Sequence, residues 1–510
     1  MRTLRRHSGK IMVAVTAVAA ALCIGFNPLV LVERGGRFFD MVEAMLPLDT
    51  GYLPSVLPPL LATLEMSVEG TVLGAVLGLL GACGLNSWVN RSPLLRFLGK
   101  AVIQLVRTVP VLILALLLTF LLGLGTLAGT VALTVYTFAV LTRLGYEDME
   151  SGSRREARVL EAAGATRFAA FRRTILVRTL PGYLNNALYL WEANVRNAAI
   201  LGFVGAGGIG LLLNERLAWR EYSQVGAILL LLYLLVICAE TVSEKLRGWL
   251  RRPGSGSAGC KGALLAVLAA VLGLSLWQLP PVDGGAGSRA AEAMVRGILS
   301  PDWSLFSPDS LVNVPALLVE TLCIAWLGTL AGAVIAFVLS FLASFRIFPK
   351  PVAGFFRLVL LLVRTVPILV YGLLWIRVAG PGPGAGVLTL MVCSVGLLAK
   401  RFLITIDRVR MEPYLAYRAM GCGFFRAFWY GVRPQLVPGY VAAVFYRLDV
   451  NLREASILGL VGAGGIGTPL VLAISQYRWQ ETGAILAGLV VLVGLAGTLS
   501  EWLRKRQRAM

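Results

Sequence analysis

Long apolar runs alternate along this chain with short charged segments. The runs fall near 11–32, 61–84, 101–123, 125–142, 181–208 and 224–243, then near 263–280, 317–344, 358–380, 386–402, 438–465 and 482–500. A helix of about 20 apolar residues crosses a hydrocarbon layer of about 30 Å at ~1.5 Å per residue. The pattern therefore predicts an all-α membrane protein with about twelve transmembrane helices. The run at 11–32 follows a basic tail and imitates a secretory leader. Its spanning length predicts a retained first helix instead.

The runs repeat. VRTVP at 106–110 recurs at 363–367, LPGY at 180–183 is answered by VPGY at 437–440, and SEKLR at 243–247 by SEWLR at 500–504, all at an offset of 257. The Gly-Thr pairs at 70–71 and 328–329 are offset by 258, so one small indel lies upstream. A constant register of this length marks a duplication. We read repeat 1 as 1–252, a linker as 253–262 overlapping the basic, Pro/Gly/Ser-containing stretch RRPGSGSAGCK (251–261), and repeat 2 as 263–510.

Loop charges add orientation. The tail 2–10, the segments 85–100 and 143–178, the linker, and the matching segments of the second half are rich in Arg and Lys, whereas 33–60 carries Glu33, Asp40, Glu43 and Asp49. By the positive-inside rule both termini are cytoplasmic, and an even number of spans per half makes the repeats parallel rather than inverted. The composition agrees: 57% hydrophobic, 15% charged, mean hydropathy +0.77. The net charge of +20 lies mostly between spans, which removes the argument for nucleic acid. Seven Cys without a CxxC, and His7 as the one histidine, indicate neither a disulfide framework nor a metal site. We expect no cofactor.

Chemistry concentrates in one stretch and its copy. Residues 192–210 read EANVRNAAILGFVGAGGIG and 449–467 read DVNLREASILGLVGAGGIG. Glu192 and Arg196, like Asp449 and Arg453, are four apart and share a helix face. About 22 Å of helix separates Pro181 from Arg196, which puts the arginine inside the bilayer, where an isolated charge costs about 3 kcal/mol or more. Two readings follow. The acid neutralises the arginine as a structural pair, or the remaining guanidinium donors line a translocation pathway with Asn194 and Asn451. Gly205, Gly207, Gly208 and Gly210, and their copies Gly462, Gly464, Gly465 and Gly467, break the helix or let helices approach. Gly205, Gly207 and Gly210 also spell GxGxxG, but they end an apolar span and lack the preceding strand of a dinucleotide site. With no GxxxxGK[ST] and no nucleophile–base arrangement, the chain is not expected to be an enzyme.

Two further elements recur. Residues 155–183 and 412–440 each read as a short helix, a turn at Gly164 or Gly421, a second short helix and a Pro opening the next span, with small residues Ala162, Ala163 and Ala419 before the turn. Read from the residues alone, this segment is either a partner-docking helix or an amphipathic helix lying on headgroups. Arg107 with Pro110, and Arg364 with Pro367, open the third span of each half, where arginine also snorkels to headgroups.

These loops resemble the cytoplasmic "EAA" loop of permease subunits of ATP-binding-cassette importers. Where that loop has a Glu six residues before its Gly, this chain has Arg158 and Leu415, so the two loops are unequal. VRTVP together with (D/E)xNxR…ILGxVGAGGIG is similar to the phosphonate and phosphite importer permeases. The resemblance implies the type I importer permease fold, here with both copies in one chain and the pathway at their pseudo-twofold interface. It implies a bacterial cytoplasmic-membrane location, an ATPase dimer on the cytoplasmic side and an extracytoplasmic solute-binding protein. An importer permease for another solute, such as methionine, and an ion-coupled carrier remain the alternatives.

Overall fold

The computed structural model describes residues 2–152, 154–250, 286–310 and 312–508. The linker at 253–262 and the run at 263–280 lie outside the described residues. In chain order the helices are α1 (Arg2–Cys23), α2 (Leu29–Arg34), α3 (Gly36–Ala44), α4 (Leu53–Leu85), α5 (Pro93–Thr108), α6 (Val111–Leu122), α7 (Thr126–Ser151), α8 (Arg155–Ala162), α9 (Arg167–Ala170), α10 (Val177–Leu201), α11 (Ile209–Ala218) and α12 (Tyr222–Leu250). They continue as α13 (Ala286–Leu299), α14 (Val314–Leu342), α15 (Lys350–Thr365), α16 (Ile368–Ala379), α17 (Pro383–Asp407), α18 (Glu412–Ala419), α19 (Phe424–Ala427), α20 (Arg433–Leu458), α21 (Gly467–Ser475) and α22 (Trp479–Arg508).

Six helices among the described residues are long and apolar enough to cross a membrane, or up to nine spans if each bent pair counts as one. The described residues thus carry six to nine of the about twelve expected spans, and the expected span at 263–280 lies outside them. The third run of each half is two helices: α5 and α6 meet at 92°, α15 and α16 at 89°. Pro110 and Pro367 cap the N-termini of α6 and α16 in extended conformation. The expectation that they open one continuous span from its first turn is thus corrected. Proline lacks the N–H that would continue α5, and it pushes Val109 and Val366 out of the helical region.

The chain forms two compact units, one of Ala44–Ala293 and one of Met1–Glu43 with Met294–Met510. In the first, α4 packs along α7 and both pack on α10. Glycines set the spacing: a Cβ on Gly70 would sit 2.5 Å from the Leu133 Cβ, and one on Gly74 2.5 Å from the Thr137 Cβ. In the second unit α14, α17 and α20 repeat the arrangement, with Gly328 facing Leu390 and Gly332 facing Ser394 at 2.6 Å. Close backbone approach of this kind is how membrane helices gain packing energy without a hydrophobic drive between them.

The amino-terminal helices pack on the carboxyl-terminal half. Helix α1 lies against α14, α2 against α16, and Phe38 of α3 stacks on Trp375 with ring centroids 4.5 Å apart. The Cys23 and Cys323 thiols are neighbours at this contact. Mild oxidation is therefore expected to cross-link these two cysteines. A chain cut at an engineered site in 251–261 will then run as one species on a non-reducing gel, and as two when Cys23 is replaced by Ser.

Candidate functional site

Each half is built around a buried carboxamide. Asn194 on α10 donates through Nδ2 to Thr71 Oγ1 on α4 at 2.9 Å and to Thr137 Oγ1 on α7 at 2.7 Å. The Thr71 hydroxyl itself donates to the Ser67 carbonyl at 2.6 Å, so its oxygen is left to accept, which fixes which end of the amide faces it. In the second half Asn451 donates to Thr329 Oγ1 at 2.7 Å and Ser394 Oγ at 2.9 Å. Both asparagines are fully buried, and Oδ1 of each has no hydrogen-bond partner among the described residues. They tie three helices together from within each unit.

What the motif leaves accessible is its arginines. Arg196 Nη1 pairs with Glu192 Oε1 at 3.1 Å, and Arg453 Nη2 with Asp449 Oδ2 at 2.7 Å; the arginine side chains stay 25% and 27% exposed. Glu192 is buried and also faces Arg247 of α12 at 3.8 Å, so two guanidinium groups share one carboxylate. That surplus of positive charge around an apolar span is suited to an oxyanion, which the planar guanidinium fork meets with two parallel hydrogen bonds.

One charged pair is present in the second half alone. Arg447, 2% exposed, donates to Ser394 Oγ at 3.1 Å and to both carboxylate oxygens of Glu454 at 3.4 and 2.7 Å. The register puts Leu190 and Asn197 at these positions in the first half. Two charges seven residues apart within an apolar run, on the same helix face two turns apart, were the available signal.

The glycine clusters are helix breaks. Helix α10 ends in a 3₁₀ turn, and α11 leaves it at an angle of 53°. Gly205, Gly207 and Gly208 hold φ of 81°, 75° and 77°, and Gly462, Gly464 and Gly465 repeat them at 81°, 80° and 74°. L side chains rarely adopt such angles. The freed backbone groups are satisfied: the Ile209 N–H donates to Thr63 Oγ1 at 2.8 Å and the Gly125 N–H to the Gly205 carbonyl at 3.0 Å. The second half matches, with the Ile466 N–H to Thr321 Oγ1 at 2.9 Å and the Gly382 N–H to the Gly462 carbonyl at 2.9 Å. In addition, the Gly465 N–H donates to Glu320 Oε1 at 2.9 Å, where the first half has Ala62. At Gly210 and Gly467 a Cβ would overlap the carbonyls of Ala199 and Ser456, so a returning strand of backbone fills that space.

The remaining motifs lie in the Arg-rich segments between the spans. Helices α8 and α9, and α18 and α19, form helix–turn–helix loops, with Gly164 and Gly421 at φ of 92° and 81° and open space beyond each. Ala162, Ala163 and Ala419 are exposed beside those turns. A π-helical turn (Phe171–Leu176, Phe428–Val432) joins each loop to α10 or α20, so Pro181 and Pro438 lie inside a helix rather than at its start. Arg107 bonds Gln104 at 3.1 Å, which also accepts from Arg143 at 3.0 Å, and Arg364 backs directly onto Gly396.

The family described as "Binding-protein-dependent transport system inner membrane component" matches residues 74–252 and again 328–508. The chain belongs to this family. It carries the permease domain twice, and its relatives are permease subunits of transport systems. It is 27% identical to the phosphate-import permease protein PhnE of Mycolicibacterium smegmatis, over 96% of this chain and 92% of that protein. It is 30% identical to the phosphite transport system permease protein PtxC of Stutzerimonas stutzeri, over 51% of this chain and 90% of that one. A putative cryptic phosphonate transport system permease protein of Escherichia coli, PhnE2, is 36% identical over 23% of this chain and 97% of its own length.

For this permease the asymmetric pair gives a sharp stability test. Arg447→Leu strands Glu454 in an apolar setting and is expected to cost about 3–5 kcal/mol. Arg447→Leu with Glu454→Asn installs the first half's residues and is expected to recover most of that loss. Thermal unfolding of the two variants in the same detergent decides it.

Proposed function

We propose that this chain forms the whole transmembrane pathway of an ATP-driven importer for phosphorus oxyanions: phosphate, phosphite or phosphonate. The observation that carries the reading is the doubled permease domain, whose relatives are named for those three substrates. The geometry supports it. Each half offers an arginine on an apolar helix, partly accessible and held by a carboxylate four residues away. A methionine importer would need an apolar side-chain pocket that this reading does not require. An ion-coupled carrier leaves the two helix–turn–helix loops without a role.

In the mechanism we infer, Arg196 and Arg453 of repeats 1–252 and 263–510 face a common pathway across a pseudo-twofold axis along the membrane normal. A solute-binding protein delivers the anion outside the cytoplasmic membrane. An ATPase dimer docks on the loops around Gly164 and Gly421, and its closure rocks the halves between outward and inward access. ATP is hydrolysed in that partner, and both termini face the cytoplasm. The paired carboxylates lower the cost of an empty site, and the arriving oxyanion competes with them for the same donors.

Arg196→Ala and Arg453→Ala are each expected to lower oxyanion uptake about 30-fold or more, the loss of about 2 kcal/mol of charge-assisted hydrogen bonding. Membrane level and co-purification with the ATPase subunit should stay as in the parent. Uptake of labelled phosphate, phosphite and phosphonate, competed with methionine, reads the outcome. A variant lost from the membrane makes the arginines purely structural, and a chain that never co-purifies with an ATPase removes the importer mechanism.

A further inference from the structure

The two helix–turn–helix loops share a backbone and differ in chemistry along a single pattern. Arg154, Arg158, Arg167, Arg172 and Arg173 of the first loop become Met411, Leu415, Phe424, Trp429 and Tyr430 in the second. All five replacements are exposed, and Phe425, the counterpart of Phe168, is the most exposed of the loop at 84%. The aromatics pair with one another: Phe424 lies 5.5 Å from Phe425 and 6.4 Å from Tyr414, and separately Tyr417 lies 6.0 Å from Tyr430. Arg433 covers Trp429 at 4.0 Å. The first loop has instead an open cavity of about 560 Å³ lined by Arg154, Arg155, Arg158 and Glu150.

Something must cover the second loop, because exposed aromatic clusters of this kind mark interaction sites. A lipid surface touches one side of a helix, and a helix lying on it shows one apolar stripe. Helix α18 packs on its own half through Tyr414, which lies against Gly431, while Met411, Glu412, Leu415, Arg418 and Ala419 are exposed over the rest of its surface. A helix exposed over most of its girth, with Glu412 and Arg418 beside Leu415, suits a groove better than a single apolar stripe on lipid. Both loops are basic, with seven arginines against two glutamates over 154–178 and five against one over 408–433. The complementary groove is therefore acidic at its rim and apolar at its floor, where Phe168 or Phe425 enters.

We propose that the two loops grip this one kind of groove, on the two ATPase subunits, by different means: the first through arginine charge, the second through aromatic burial. The proposal rests on the importer reading above and adds to it an unequal pair of joints. The second loop is the salt-resistant anchor. The first is a salt-sensitive contact.

The test uses the full-length chain in lipid nanodiscs and the ATPase subunit that co-purifies with it. Phe425 is 84% exposed and meets Phe424 only edge-on at the surface, so Phe425→Ala is expected to leave the fold intact. It is expected to weaken ATPase-subunit binding about tenfold or more. That loss should persist at about 1 M salt, where the Debye length is about 3 Å. Replacing Arg158, Arg172 and Arg173 together by Ala should weaken binding at low salt and flatten its salt dependence, with little effect at 1 M. Equal losses with equal salt dependence overturn the division of roles. Unchanged binding with Phe425→Ala shows that the aromatic loop lies on the membrane instead. Failure to recover any ATPase subunit with the parent chain overturns the importer reading itself, and the proposal with it.

Discussion

In each half one side-chain carboxamide ties three membrane helices together. Asn194 and Asn451 each reach two hydroxyls on two neighbouring helices, and those hydroxyls lie near the middle of largely apolar helices. In that setting the alternative partner is hydrocarbon, so an unmade bond costs the desolvation of the group. The bond also needs close helices. Gly74 faces Thr137 and Gly332 faces Ser394, the residues that receive the amide. The glycine and the hydroxyl are thus parts of one joint: a larger residue at either glycine moves the acceptor away. With α10 and α20 held this way, the arginine two residues further along each helix is presented at a defined depth and direction.

The same joint explains how irregular backbone survives inside the membrane. The breaks after α10 and α20 release N–H groups that lipid cannot satisfy. Thr63 and Thr321, on the helices already clamped by the asparagines, take up the N–H of Ile209 at the start of α11 and of Ile466 just before α21. The carbonyls of Gly205 and Gly462 accept from Gly125 and Gly382, at the start of the helices that bear the second hydroxyl. Clamp and break therefore share two helices, and motion of α10 relative to α4 or α7 disturbs both. A half is stiff along this seam. Bending is left to the other discontinuities, the right-angled turns at Pro110 and Pro367 and the π-helical turns that lead from the loops.

Much of this was legible in the chain because identical strings at a constant offset announce two copies of one structure. The helix–turn–helix loops were legible for a similar reason: short apolar stripes around a glycine leave few other conformations. The right-angled turn at Val109–Pro110 was not. A hydropathy window averages across it, and the amphipathic α5 adds enough Leu and Val to look like the start of a span. Helix α1 packing on α14 was beyond reach, since no local pattern specifies a contact some 300 residues away. The asparagine was singled out, but the hydroxyls it holds were not. Its partners are a Thr and a Ser or Thr on apolar helices, residues too common there to carry a signal until the helices are placed side by side.

The departures from symmetry have a physical logic. A permease that pairs with a copy of itself must carry every substitution twice, so a buried charge incurs its desolvation cost twice and meets its own image across the axis. A chain holding both copies can change one half alone. Arg447–Glu454, Glu320 on the Gly465 amide and the aromatic loop are all such single-sided changes, standing where the first half has Leu190 and Asn197, Ala62, and arginines. They fall at three levels: the core of the helix bundle, the surroundings of the helix break and the helix–turn–helix loop. What recurs in both halves is the asparagine with two hydroxyl acceptors and the glycines of the break. Fusion separates what each half must keep from what either may give up, and the residues named here show where that line runs.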